Sequence, residues 1–176
     1  MLNENAKTNE AEIYSPQNLQ RLVSVLWNSR EETTIQSVLL YVVLGAFAGL
    51  RPAEAVELEW KQIDWSTREI RLPATSGKAG RSISIKDNLM TFLLPYKGRN
   101  GSVIVHKKVA NLLRKECTRA GVRHISNGLR RSYGSYRLGE SSEEIVRSEM
   151  GSKFPHQPEL RTITAAEIAK YWAVRP

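Results

Sequence analysis

The sequence predicts a mainly α-helical domain with a small antiparallel β-sheet, an α+β fold. Long stretches repeat their apolar residues at helical spacing, with Leu19, Leu22, Val23 and Leu26 as the clearest set. Two short segments, REIRL (68–72) and RSISI (81–85), alternate with a period of two. SGKAG between them has turn composition, so the pair reads as a hairpin. At 176 residues, 41% hydrophobic and 25% charged, the chain is long enough for one folded domain with a sizeable core. We expect a polar tail over residues 1–13 and the domain over 14–176.

The elements follow in order. Ser15 is placed to cap a helix whose first position is Pro16. Thr33 or Thr34 can cap the next helix, which is apolar nearly all round from Val38 to Leu50 and therefore buried. Pro52 starts a short helix, PAEAVELEW, with acids near its beginning where the macrodipole favours them. After the hairpin, helices are expected around Asp87–Leu94, His106–Ala120, Gly128–Leu138, Ser142–Met150 and Ala165–Val174.

Composition removes several function classes. A lone cysteine, Cys117, rules out an internal disulfide framework and suits a reducing compartment. The apolar run Val38–Leu50 is shorter than the roughly 18 residues a membrane span needs. The opening MLNENAKTNEAEIY is polar, without a signal-peptide core. A cytoplasmic protein with no membrane partner is expected. The net charge of +8 is unevenly placed: residues 97–137 hold eleven Lys or Arg against one acid, Glu116. That imbalance points to a nucleic-acid partner.

One junction poses a chemical question. The apolar helix runs straight into Arg51 in AGLRPAEAVELEW, and a buried arginine is costly unless an anion meets it. Either Arg51 pairs with Glu54 or Glu57, or it serves an anion from outside the chain.

At these residues the sequence resembles the tyrosine recombinases, the phage-integrase family. AGLRPAEAVELEWKQIDW is similar to the family's G-L-R-x-x-E block and the L-x-W-x-x-I-D stretch after it. SGKAGRSISI resembles the hairpin that carries its catalytic lysine, and SNGLRRSYGSYRLGESSEEIVRSEMGS its H-x-L-R-H block with the helices that follow. The resemblance runs from about Tyr14 to the end of the chain and implies a bacterial or phage-derived catalytic domain without the family's N-terminal core-binding domain. It implies double-stranded DNA as partner, attack of a tyrosine on the scissile phosphate, and neither metal nor other cofactor. Arg51 and Arg130 would hold phosphate oxygens, for which the guanidinium fork is suited, and Lys78 would protonate the leaving oxygen. Lys107, Lys108, Arg123, Arg131 and His156 would contact DNA. The C-terminal helix could mediate self-association, as family members exchange such helices between subunits.

The sequence also departs from the pattern. Asn127 stands where the block more often has histidine, although its amide still donates. Arg131 replaces the second histidine, and Ser152 follows Met150-Gly151 where histidine or tryptophan is usual; His156 lies four residues beyond it. HQPEL is similar to the family's HYREL with Gln157 in the place of the nucleophile, and an amide is no substitute for a phenolate. Tyr171 is the nearest tyrosine downstream, on the last helix. Two functions therefore stand: a site-specific recombinase domain with impaired or rerouted phosphotyrosine chemistry, or a non-catalytic DNA-binding module from a decayed mobile-element integrase.

Overall fold

The structure, a computed structural model, describes residues 12–75, 79–151 and 163–176. Its centre is α2 (Thr33–Ala48), in which every residue from Ser37 to Ala48 is buried. A helix apolar on all sides needs neighbours all round, and they are α1 (Pro16–Asn28), α4 (Asp87–Leu93), α5 (Val109–Arg119) and α6 (Gly128–Leu138). α1 starts as expected: Ser15 Oγ accepts from the Asn18 N–H, with Pro16 next. The start of α2 differs from expectation. Glu32 is its N-cap and makes no side-chain cap bond, while Thr33 and Thr34 lie inside the first turn. α2 ends at Gly49, whose φ of 62° is the left-handed conformation that terminates helices. A Cβ there would stand 2.3 Å from Tyr133 Cδ1, so Gly49 also permits the close approach of α6.

α3 (Pro52–Glu57) is a single short helix on the far side of that turn. The sheet has three strands rather than a lone hairpin: β1 (Ile63–Asp64), β2 (Glu69–Leu72) and β3 (Arg81–Ser84), antiparallel in the order β1-β2-β3. Two residues are too few to show a period, which hid β1 in the sequence. β2 begins one residue later than expected because Arg68, at φ 57°, belongs to the turn. Ile63, Ile70 and Ile83 are aligned across the sheet and buried against the core. α5 likewise begins at Val109 rather than His106, and the His106 N–H is held by Ser37 Oγ.

α6 is tied to the start of the described chain. The Tyr14 N–H donates to Ser132 Oγ, and the Tyr14 hydroxyl accepts from the Ile125 N–H just ahead of α6. α7 (Glu143–Met150) packs on α6 and β3, and α8 (Ala165–Trp172) returns to α1. Among the described residues no helix is long and apolar enough to cross a membrane.

Candidate functional site

The turn after α2, the start of β3, the first turn of α6 and the end of α7 bring three guanidinium groups together. Arg51 is the N-cap residue of α3 and answers its own question in part: its Nη1 donates to Glu54 Oε1 at 2.7 Å, and its backbone N–H to Glu54 Oε2 at 2.8 Å. Glu57 is not the partner. Arg81 completes the arrangement with a two-pronged bond to the same carboxylate, at 3.0 and 2.8 Å, while its Nε donates to the Glu149 carbonyl at 2.7 Å. Arg130, from α6, donates through Nη1 to the Gly49 carbonyl and through Nη2 to the Met150 carbonyl at 2.6 Å.

Electrostatics reflects this crowding. Burial alone would raise the Glu54 carboxyl, but the hydrogen bonds from Arg81 and Arg51 outweigh it and hold the group down to about 2. Burial lowers Arg130 to about 10, helped by the positive charge of Arg51, so it stays protonated at neutral pH. One carboxylate thus pairs with two of the three guanidiniums, and the cluster keeps a surplus of positive charge.

The cluster also keeps unspent donors. Arg81 uses its Nε and both Nη on chain atoms. Arg51 uses one N–H bond of its guanidinium and is partly exposed. Its two terminal nitrogens face Gly151, where an added Cβ would lie 3.5 Å from each and 3.7 Å from Arg81 Cζ. Gly151 has φ 76° and ψ 161°, a region that essentially only glycine occupies. We therefore expect Gly151→Ala to cost about 1–3 kcal/mol in backbone strain. The check is a shift in the urea midpoint at unchanged m-value; an unshifted midpoint would refute the constraint.

Behind the arginines lies a second tier. Glu149, near the end of α7, is buried and accepts from the Tyr133 hydroxyl at 2.8 Å and from Arg137 Nε and Nη2 at 3.0 Å each. These bonds fix the end of α7, whose carbonyls receive Arg81 and Arg130. Burial, with Glu149 beside it, pushes the Tyr133 hydroxyl far above the ordinary tyrosine range.

Other residues singled out in the sequence fall as follows. Asn127 is exposed at the N-cap of α6 with φ 54°, and its side chain makes no cap bond. Lys107 and Lys108 are exposed just before α5, Lys107 Nζ donating to the Val56 carbonyl at 2.8 Å. Arg123 is exposed and paired with Glu12, and Arg131 donates to the Ser126 carbonyl. Tyr171 is fully buried: its hydroxyl donates to the Ala46 carbonyl and its ring stacks on Tyr136 at 3.9 Å. Lys78, Ser152, His156 and Gln157 lie outside the described residues.

Arg81 is the member that sequence reasoning passed over. The period of two carried the signal, since it places Arg81 on the same face as buried Ile83 and Ile85. An arginine on a strand's buried face requires a carboxylate partner.

No protein-family model and no curated relative matches this sequence. Solved structures do. The catalytic domain of bacteriophage HP1 integrase aligns with a TM-score of 0.64 at 19% identity, over 95% of this chain and 90% of that one. XerA recombinase aligns at 0.66 and 15% identity, over 82% of this chain and 57% of its own. XerH site-specific recombinase, in a pre-cleavage complex with its difH substrate, aligns at 0.62 and 17% identity, over 84% and 50%. This chain has the tyrosine-recombinase catalytic-domain fold. It spans little more than half of XerA recombinase and half of XerH. At these identities the likeness is one of architecture, and the recombinase-type fold is the frame in which the arginine cluster sits.

Proposed function

We propose that this chain is a recombinase-type domain that grips the sugar-phosphate backbone of double-stranded DNA with Arg51 and Arg130 and does not itself cut the strand. The observation that carries this reading is the clustering of Arg51, Arg81 and Arg130, in which Arg51 and Arg81 share the Glu54 carboxylate, Arg130 is held by the Gly49 and Met150 carbonyls, and Arg51 keeps unspent donors on a partly exposed side chain. A guanidinium with unspent N–H groups suits a phosphate oxygen. Asn127 supplies a further amide at the edge of the site, and Lys78 belongs to it by resemblance. The XerH structure, solved with its difH substrate, agrees with DNA as the partner. Loss of cutting rests on Gln157, in the place of the family's tyrosine, and a cytoplasmic mobile-element or phage-derived integrase is the setting this implies. The competing reading, cleavage by Tyr171, requires that side chain to leave the core, and its bond to Ala46 and stack on Tyr136 oppose that.

Binding of a duplex should be governed by counterion release, with log affinity falling linearly against log salt. Arg51→Ala should reduce the slope by about 0.9, one phosphate's worth, and weaken all sequences alike. Fluorescence anisotropy with two unrelated duplexes across a salt series tests this. An affinity indifferent to salt would refute the reading.

A further inference from the structure

Beside the arginine cluster a cavity of about 210 Å³ opens between α2, α3, α5 and the start of α6. Its floor is apolar, with Leu50, Ala55 and Leu129 buried there. Its rim is polar, and Asn127 and Arg130 join it to the site already described. Two further rim residues, Arg114 and His124, have no role in that site. Arg114 is exposed on α5 and has no ion-pair or hydrogen-bonding side-chain partner among the described residues. His124 sits close enough to feel it: burial first, and then the Arg114 charge, lowers the imidazole below its usual value.

We infer that this cavity is a second backbone subsite, taking the sugar-phosphate unit next to the one held by Arg51 and Arg130, with Arg114 and Asn127 on the phosphate and the apolar floor under the sugar. The inference rests on the proposed DNA-binding reading and extends it to Arg114 and His124, which that reading does not use. Two features match this ligand. A deoxyribose presents carbon to an apolar surface, while its phosphate needs donors at the edge. Those donors are unspent: Asn127 makes no cap bond, and Arg114 pairs with no described residue. Elsewhere on the same run Arg119 pairs with Glu116 and Arg123 with Glu12. The imidazole of His124 adds a ring nitrogen to the same rim.

The test compares wild type, Arg114→Gln and Ala110→Trp in the full chain. Ala110 is an exposed helix residue on the cavity wall, so its enlargement fills the space without removing charge. The probes are a 20-base-pair duplex across a salt series and inorganic phosphate, each read by anisotropy or thermal shift, with circular dichroism verifying the fold. Arg114→Gln should make the salt slope shallower by about one. Ala110→Trp should weaken duplex binding at an unchanged response to inorganic phosphate, which the arginine cluster alone can hold. If wild type binds duplex and both variants bind equally well with the same slope, the subsite is refuted and the DNA-binding reading stands. If wild type binds no duplex, that reading fails and the subsite fails with it.

Discussion

Replacing Glu54 with glutamine is expected to lower the unfolding free energy by roughly 3 kcal/mol at neutral pH, among the larger single effects in this chain. The carboxyl falls from 4.5 to about 2 on folding, and each unit of difference corresponds to about 1.4 kcal/mol. Its side chain is 16% exposed, so solvent screens little of this. The folded value lies below the unfolded one. The contribution is therefore complete above about pH 4.5 and disappears as the pH falls towards 2. Urea unfolding at pH 7 and at pH 3 reads it directly: the gap between wild type and Glu54→Gln should narrow at the lower pH. A constant gap would mean that Glu54 acts through packing and not through charge. The same variant leaves Arg51 and Arg81 without their shared anion, so inorganic phosphate should raise its melting temperature by more than that of wild type.

The overall fold was legible because its strongest signals are local. The α1 cap, the all-round apolar α2, the hairpin period and the ends of α6 and α7 come from neighbouring residues, and they appear within a residue or so of where the pattern places them. The site was legible in its parts but not in its wiring. Arg51 beside Glu54 could be read from an i,i+3 spacing, whereas Arg81 reaches that carboxylate from 27 residues away and Arg137 reaches Glu149 from a neighbouring helix. Such partners are fixed by packing, which sequence spacing does not encode. Charge counting also overstated the free basic surface. Within the run from 97 to 137, Arg119, Arg123 and Arg137 each pair with an acid, and Arg130 spends donors on two carbonyls. What the run offers is therefore narrower than the sum of its charges, with Arg114, Lys115 and the Lys107-Lys108 corner among its exposed cations.

Incubation of this chain with a nicked duplex is expected to give no covalent protein-DNA adduct. Strand cutting needs an oxygen nucleophile about 3 Å from phosphorus and in line with the leaving group. Between Gly151 and Lys170 the sequence contains no tyrosine, and Gln157 stands at the position that resembles the family's nucleophile. Tyr133 and Tyr171 are unsuitable because both are buried. Burial first, and then the Glu149 carboxylate to which it donates, raise the Tyr133 hydroxyl well above the ordinary range. Tyr171 is fully buried, and burial, with Tyr136 and Tyr133 nearby, raises its hydroxyl in the same direction. Making either a phenolate means leaving an uncompensated negative charge in the core, which is strongly unfavourable. Freeing Tyr171 would also break its bond to Ala46 and expose the ring stacked on Tyr136 and packed edge-on to Phe47. Denaturing gels and peptide mass spectrometry after incubation should find only free protein, in wild type and Tyr171→Phe alike. Tyr171→Phe should lower stability by about 1–3 kcal/mol through the unpaired Ala46 carbonyl. An adduct on Tyr171 that vanishes in Tyr171→Phe would show that α8 leaves its place to deliver a nucleophile, and the binding-only reading would fall.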